Sequence, residues 1–513
     1  MLNRLLGNTP ARPSNDLKAG VPRTSVVFSD TAPSWSELEA LHAQRAAELG
    51  WTDPWTGTAD LHGDFSLGPT NPKAMERLFG QPRESVRIKL YRDHAAWCPY
   101  CQKVWLMLEE KQVPYVLEKI NMRCYGDKPA EFMAKVPGGL LPVIELDGQV
   151  ITESDLIMDV IEREYPNPPT LPTDGDLAPY ATRLMRLERQ MFSLWLNWLC
   201  SNGNPAPQRR RFLEGLDIVE EALQRANDGE ILPGGWAEAD NLAPNTWGSP
   251  GPFFLGGAIS QVDFKFAPFL ERMVSSLLYY KGFQMRSTGR YPALEKWFEA
   301  MEQRSTYMGT RSDHYAHCHD LPPQLGGCGM SEEGMPYATV IDGRLPSESW
   351  RLPLEPLGAD SLEAYSPGEG PEGHDALEAA ARMLANREAV VKFACRGVGQ
   401  KGPKPVSAPL SDPTAIPNME VAEDVDAMLR HVTHALIVGV SAKQDGPAAL
   451  KAEPEPRGDK SECEGWSMGP CLAYVRDHVC VPRDIRFPAA RQLRAHLNWA
   501  SDIVAQANML ARA

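Results

Sequence analysis

The chain is poor in cysteine, with ten in 513 residues. This density is far below that of a disulfide-stabilised secreted domain, so we expect thiols that stay reduced. The sequence has no apolar run near the roughly 18 residues that a membrane-spanning helix needs, and its N-terminus lacks the apolar core of a secretory signal. These absences exclude a disulfide scaffold and a membrane span, and they predict a soluble intracellular protein.

Positive charge is in deficit as well. Lys and Arg total 52 against 67 Asp and Glu, which gives a net charge of −15. A general attraction to nucleic acid or to an anionic membrane is therefore disfavoured, and no nucleic-acid partner is expected. Basic residues outnumber acidic ones before Asp30, which fits an organellar transit segment as well as an untargeted tail. The predicted compartment is the cytoplasm or the stroma of a chloroplast or another organelle.

The hydrophobic pattern changes along the chain, and the length alone predicts two to four domains. We expect an N-terminal extension with one helix (1–85), an α/β domain (86–170), an all-α domain (177–320) and a C-terminal helical extension with Pro/Gly-rich loops (330–513). Within the α/β domain the predicted order is strand 87–91, helix 100–112, strand 114–119, helix 128–135, strands 141–146 and 149–151, and helix 153–164. Leu146-Asp147-Gly148 is a hairpin signal between the last two of these strands. This order of elements is typical of a thioredoxin-like fold.

The helix predictions elsewhere depend on caps and on helical periodicity. Ser34 and Glu37 form a capping-box pattern that starts a helix ending at Gly50, and residues 51–84 read as a loop-rich arm. The other predicted helices are 180–200, 212–227, 260–280, 292–304, 375–394, 422–440 and 488–510.

Cys98-Pro99-Tyr100-Cys101 is the only Cys-x-x-Cys of the sequence and lies between a predicted strand and a predicted helix. A thiolate attacks a disulfide, so the attacking cysteine needs stabilisation of the anion and access to solvent. A helix N-terminus at Cys98 provides free N–H groups, and Pro99 loses no hydrogen bond in the first turn. Cys101, one turn later, faces the same side and could resolve a mixed disulfide.

Less specific interpretations remain for several groups. The cysteine pair could be a zinc half-site or two buried thiols, but zinc needs a second pair, so we favour redox chemistry without a metal. Trp195 and Trp198 could line an electrophile pocket, although a core position is commoner for helix aromatics. The following residues have no recognisable metal spacing and are expected in solvated loops: His314, His317, Cys318, His319, Cys328, Cys463, Cys471 and Cys480.

Residues 86–311 resemble the glutathione S-transferases of the cysteine type, which include omega, lambda and dehydroascorbate-reductase-like classes. The Cys98–Cys101 motif is identical to that of dithiol glutaredoxins and sits where these transferases carry the catalytic residue. Leu140-Leu141-Pro142-Val143 looks like the family's cis-proline strand, and Glu153-Ser154 like its γ-glutamyl clamp, although Glu153-Ser154 could also be a plain helix cap. Ser260-Gln261-Val262-Asp263 resembles the family's N-capping box. The C-terminal segment is loosely similar to extended transferase-like proteins of plants and algae.

The resemblance implies a thioredoxin-like domain followed by a helical bundle of the transferase type, with glutathione as cosubstrate. Cys98 would be the nucleophile and Cys101 an optional resolving residue. Val143 would pair with the cysteinyl unit, Glu153 and Ser154 with the γ-glutamyl unit, and Lys135 with the glycyl carboxylate. The residues implied to contact glutathione are Pro99, Tyr100, Lys135, Leu141, Pro142, Val143, Glu153 and Ser154.

The implied function is a glutathione-dependent thiol transferase or reductase. It would act on a small electrophile or a glutathionylated protein, by deglutathionylation or by reduction of the dehydroascorbate type. The alternative is a weakly catalytic or non-catalytic scaffold that binds protein partners through the extensions. Dimers are common in the resembled family, so the resemblance also implies a homodimer.

Overall fold

A computed structural model describes residues 31–173, 175–231, 243, 245–344, 349–404, 406, 408–442 and 468–510. The described chain divides into two compact units. Unit 1 takes the described residues within Met1–Gly63, Gly343–Pro356 and Glu369–Ala513, and unit 2 those within Asp64–Asp342 and Leu357–Gly368. None of the described helices is both long and apolar enough to cross a membrane. The predictions for residues 1–30 and for Cys463 lie outside the described residues.

The sheet of unit 2 has the strands β1 Glu76–Arg77, β2 Ile88–Asp93, β3 Tyr115–Ile120, β4 Val143–Leu146 and β5 Gln149–Thr152. Its spatial order is β1-β3-β2-β4-β5. Strands β2 and β3 are parallel, with Ile88 opposite Tyr115, and the other pairs are antiparallel. The thioredoxin-like prediction is thereby confirmed. The loop-rich prediction for 51–84 is wrong at β1, because two residues are too short to show an alternating pattern.

Local turn chemistry explains the hairpin between β4 and β5. Asp147 and Gly148 both have positive φ, 50° and 82°, as a two-residue hairpin turn of type I′ requires. Asp tolerates this region and Gly has no Cβ to clash. The predicted Asp147-Gly148 turn is therefore confirmed.

The described α-helices are, in chain order, α1 Trp35–Leu49, α2 Pro99–Glu110, α3 Ala130–Lys135, α4 Ser154–Glu164, α5 Leu177–Leu199, α6 Ala206–Asn227, α7 Gln261–Lys281, α8 Pro292–Glu302, α9 Ser305–Met308, α10 His314–Leu325, α11 Met335–Ile341, α12 His374–Ala385, α13 Arg387–Ala394, α14 Ala422–Val438, α15 Met468–His478 and α16 Phe487–Leu510. The capping boxes at Ser34 and Ser260 are both present. The single helix predicted for 375–394 is wrong, because the chain leaves helical geometry at Asn386, between α12 and α13.

The loop predicted around His314 is also wrong. His314, His317, Cys318 and His319 lie on α10, which the Asp313 side chain caps by accepting the Ala316 N–H at 2.9 Å. Cys328 lies beyond this helix in a loop. His317 and Cys318 are fully buried, because α10 packs against α7. Two prolines, Pro322 and Pro323, lie inside α10. Because proline is disfavoured inside a helix, the sequence pattern did not indicate one here.

The loop prediction fails for the two described C-terminal cysteines as well. Cys471 lies on α15 and is buried, and Cys480 is buried just beyond that helix. Burial of both thiols follows from the packing of α15 on α16.

The two predicted central domains, 86–170 and 177–320, fall within unit 2. In unit 1, Arg382 of α12 holds Asp53 through two hydrogen bonds, of 2.5 and 2.7 Å, and stacks 4.0 Å from the Trp55 ring centroid. Residues far apart in the sequence therefore share one core in unit 1.

Candidate active site

Cys98 is the N-cap residue of α2, directly after the turn that follows β2. Its Sγ accepts the Cys101 N–H at 3.4 Å, so the sulfur replaces one missing acceptor at the helix start. Pro99 occupies the first helical position, where its missing N–H costs nothing. The predicted helix N-terminus at Cys98 is confirmed. The expected exposure is not, because only 6% of Cys98 is exposed.

Cys101 lies one turn into α2 and is buried. Burial, the hydrogen bond to Cys98 and the nearby charges of Cys98 and Asp93 raise the pKa of the Cys101 thiol. The two sulfur atoms and a carboxylate oxygen of Asp93 lie within 4.8 Å of one another. A structural zinc site has four protein ligands, one more than this group offers.

The cis-proline strand lies beside Cys98. The Leu141–Pro142 bond is cis, and the Leu141 carbonyl oxygen is 4.0 Å from Cys98 Sγ. Val143 is buried inside the sheet, opposite Tyr91 on β2 and Thr152 on β5. Leu141, the residue before the proline, thus presents its main chain toward the thiol.

Glu153 is the N-cap residue of α4 and has a φ of 66°, a rare value for a residue with a Cβ. Such local strain is typical of binding sites. Ser154 is buried at the first position of α4, where the free N–H groups of the helix can receive a carboxylate.

A charged group beside this helix start was missed by sequence reasoning. The Asp155 carboxylate lies 2.7 Å from the Lys103 ammonium and 3.2 Å from that of Lys265. Although burial raises it, these two ammonium groups bring the pKa of Asp155 down to about 2. Two cations with one anion leave a positive excess near the N-terminus of α4.

Two lysines, Lys128 just before α3 and Lys135 at its last position, have different partners. Lys135 is bound to the Glu145 carboxylate and to the Tyr91 hydroxyl, and its hydrogen bond to Glu145 raises the pKa of the Lys135 ammonium. Lys128 donates to the Asn121 carbonyl at 2.5 Å. Burial lowers the pKa of the Lys128 ammonium, while the charges of Cys101 and Cys98 raise it. Lys128 therefore interacts electrostatically with the cysteine pair, a role that its position in the sequence did not signal.

Tyr100 contacts an aromatic group supplied by the helical domain. Its ring lies 5.6 Å from that of Phe269 and 6.4 Å from that of Phe192. The Arg189 guanidinium lies 4.8 Å from each phenylalanine ring and binds Glu188. Trp195 and Trp198 are buried within the bundle, in agreement with the core interpretation.

The turn that carries Cys98 also accepts hydrogen bonds from a residue of α7. Arg272 donates to the Trp97 carbonyl at 2.5 Å and to Gln102 Oε1 at 2.9 Å. Gln102 in turn donates to Glu271 at 3.1 Å, and Glu271 binds His317 at 2.6 Å. This buried network reaches from the active-site turn to α10, and no local sequence signal indicated it.

Two family models match this region of the chain. The glutathione S-transferase N-terminal domain matches residues 97–164, and the C-terminal domain of that family matches residues 173–300. The matched residues, which make up less than half of the chain, are similar to both domains of a glutathione S-transferase. Glutathione is the cosubstrate of that family.

The chain is similar to several proteins over part of its length. Glutathione S-transferase DHAR3, chloroplastic, of Arabidopsis thaliana is 27% identical over 42% of this chain and 69% of its own length. Glutathione S-transferase DHAR2 of the same plant is 26% identical over 42% of this chain and 84% of its own length. A crystal structure of dehydroascorbate reductase from Chlamydomonas reinhardtii is 22% identical, covers 47% of this chain and 95% of the other, and has a TM-score of 0.32.

Proposed function

We propose that this protein is a glutathione S-transferase of the cysteine type and acts as a glutathione-dependent thiol transferase or reductase. The observation that carries the proposal is the position of Cys98 Sγ at the N-terminus of α2, 4.0 Å from the carbonyl that precedes cis-Pro142. The free N–H groups of a helix start favour an anionic sulfur. An extended peptide beside Leu141 would bring its own sulfur to Cys98.

The glutathione contacts follow from the same geometry. Leu141 rather than Val143 would supply the main-chain pairing, because Val143 has a strand on each side. Glu153 would accept the γ-glutamyl ammonium, and Ser154 with the start of α4 would receive its carboxylate. For the glycyl carboxylate we favour Lys128 over Lys135, since Lys135 is already bound to Glu145.

The reaction is a thiol–disulfide exchange. The Cys98 thiolate attacks the glutathionyl sulfur of a mixed disulfide, the bond between the two substrate sulfurs breaks, and the substrate thiolate leaves and takes a proton from solvent. A second glutathione thiolate then attacks the Cys98–glutathione disulfide, which gives oxidised glutathione and frees Cys98. Dehydroascorbate reduction would use two glutathione molecules through the same Cys98–glutathione intermediate.

The acceptor would lie over Tyr100 and Phe192, the two partly exposed rings of this group, with Phe269 buried behind them. This aromatic group borders the cysteine turn and carries one guanidinium, Arg189. A flat acceptor suits such a surface, because aromatic rings stack on one another.

The test compares three substrates on one sample: a glutathionylated peptide, dehydroascorbate and a chlorodinitrobenzene-type electrophile. Cys98→Ser should abolish reduction of the first two, whereas Cys200→Ser, which removes an exposed thiol elsewhere in unit 2, should leave both rates unchanged. Full activity of the Cys98→Ser protein would show that Cys98 is not the nucleophile.

A scaffold is the second candidate. It is favoured by the described residues of unit 1, which form their own core outside both family matches. A wild-type protein that is retained by a glutathione resin yet turns over none of the three substrates would support this alternative.

A further inference from the structure

Asp93 has a buried carboxylate oxygen that the proposed reaction does not use. The residue ends β2 and has no exposed surface. Its Oδ2 accepts the Trp97 N–H at 2.6 Å. Its Oδ1 accepts no hydrogen bond from any group that the structure describes. A buried acceptor without a partner is uncommon and asks for an explanation.

Cys101 has a thiol whose proton has no evident acceptor. As a resolving residue it must become a thiolate, yet its side chain is only 1% exposed and burial raises the pKa of its thiol. Bulk solvent has little access to the proton. A group inside the protein must therefore take it.

The distances bring these two features together. A carboxylate oxygen of Asp93 and the sulfur of Cys101 lie within 4.8 Å, and Cys98 Sγ is within the same distance of both. This range allows transfer directly after a small side-chain rotation or through one water molecule. No other carboxylate among the described residues shares this range with both sulfurs.

The charges around Asp93 come from several elements. Arg92, its neighbour on β2, donates to the Asp93 carbonyl at 2.7 Å, and Lys128 faces it from the segment before α3. Arg272 on α7 holds the Trp97 carbonyl. Asp320 on α10 is fully buried, and burial raises the pKa of its carboxyl well above the usual range.

We propose that Asp93 is the proton acceptor for Cys101 when Cys101 resolves the Cys98–glutathione disulfide. This inference rests on the proposed function of Cys98. The Cys101 proton passes to Asp93 Oδ1, the Cys101 sulfur attacks the Cys98 sulfur, and the Cys98–glutathione bond breaks. A Cys98–Cys101 disulfide forms, and the glutathione thiolate leaves and is protonated by solvent. Two molecules of glutathione then reduce that disulfide and yield oxidised glutathione.

The experiment is a single turnover of the full chain. Glutathione disulfide reacts with Cys98 to form the Cys98–glutathione disulfide, which is the loading step. Samples are quenched with acid at successive times, and mass spectrometry measures first this loading and then the release of the second glutathione from Cys98. Asp93→Asn keeps the shape and the acceptor for the Trp97 N–H. Because a general base typically contributes 10² or more, we expect release to slow by about 100-fold at neutral pH while loading is unchanged.

A double-mutant comparison separates proton transfer from a structural effect. In a Cys101→Ser background, where only external glutathione frees Cys98, Asp93→Asn should have no further effect. Asp342→Asn changes another buried aspartate of unit 2, bound to Tyr279 and His319, and should leave release unchanged. Equal slowing in the Cys101→Ser background would show that Asp93 only supports the fold.

The wild-type protein supplies an independent measurement should Asp93→Asn not fold. With Asp93 as acceptor, the release rate should stay level between about pH 6 and pH 8, whereas deprotonation by solvent gives a rise of about tenfold per pH unit. Such a rise, or release at the wild-type rate from Asp93→Asn, would overturn the inference. If the wild-type Cys98 is never loaded with glutathione, the proposed function itself is wrong.

Discussion

The charged residues around Cys98 differ in whether a carboxylate of the protein already binds them. Lys135 is half-exposed and bound to Glu145, so its charge is largely compensated. Among the described residues, Lys128 donates only to a main-chain carbonyl, and the charges of Cys101, Cys98 and Asp93 act on its ammonium. At the residue scale, a cation that is not hydrogen-bonded to a carboxylate of the protein is the better candidate to bind a carboxylate of the substrate.

Lys128→Gln should therefore weaken glutathione binding. A hydrogen bond to a charged group contributes about 1.5–3 kcal/mol, so the KM for glutathione should rise by about 10- to 100-fold with a smaller change in kcat. Lys135→Gln is the matched control and should change KM by less than about threefold. Steady-state kinetics at varied glutathione concentration measures the KM of both variants. A larger rise in KM for Lys135→Gln than for Lys128→Gln would assign the glycyl carboxylate to Lys135.

His496 on α16 is buried, and its Nδ1 pairs with the Gln492 carbonyl at 2.7 Å. Burial lowers the pKa of His496 to about 4 from 6.5. The unfolded chain thus binds a proton that the folded chain rejects, so stability falls as the pH drops from 6.5 toward 4. The contribution is on the order of 3 kcal/mol.

Hydrogen exchange of peptides from α16 measures this effect locally. Wild-type protection should fall across that pH window after correction for intrinsic exchange. His496→Leu should flatten the dependence, whereas His62→Leu, which replaces an exposed histidine of unit 1, should leave the slope as in wild type. An unchanged slope in His496→Leu would contradict the assignment.

At the scale of elements, the two capping boxes have the same pattern but different surroundings. Ser34 and Glu37 cap α1 in solvent. Asp263, in the box of α7, is fully buried and accepts bonds from the Ser260 main chain and hydroxyl, the Phe254 N–H and Trp297 Nε1. The second box thus ties α8 and the preceding loop to the start of α7.

Asp263→Ala should destabilise unit 2 by at least about 3 kcal/mol, because several buried donors lose their acceptor at once. Ser34→Ala, which removes an exposed cap, should cost about 1 kcal/mol. Urea denaturation followed by circular dichroism provides both values. Similar losses for the two variants would mean that the buried bonds of Asp263 add little.

At the scale of the whole molecule, the candidate site and the long-range salt bridge of unit 1 belong to different units. The proposed site residues all lie in unit 2, and Arg382 and Asp53 lie in unit 1. Both charges are nearly inaccessible to solvent. Removing one partner leaves the other buried and unpaired, which typically costs 3–5 kcal/mol.

Arg382→Met should therefore lower the stability of α1 and α12, measured by hydrogen exchange, by about 3–5 kcal/mol. Glutathione-dependent activity should stay within about twofold of wild type at 25 °C, since the site is built from unit 2 alone. Glu48→Gln, which breaks an exposed pair with Arg45, should change neither quantity noticeably. A large loss of activity in folded Arg382→Met would show that unit 1 supports the site.

The sequence by itself determined the features that depend on neighbouring residues. The Asp147-Gly148 turn, the caps at Ser34 and Ser260, and Cys98 before Pro99 at a helix start were all predicted correctly. Each follows from hydrogen bonds or φ values within a few positions of the chain. The order of strands and helices in the α/β domain followed from periodicity for the same reason.

Only the tertiary structure decided which distant groups surround Cys98. Lys128, Arg272 and Asp320 reach the cysteine turn from separate elements, and nothing in their local sequence marks them. Burial of α10 likewise depends on packing against α7, so a His- and Cys-rich stretch read as a solvated loop became part of the core. Periodicity gives the buried face of an element but not its neighbours, and the chemistry of Cys98 and Cys101 depends on those neighbours.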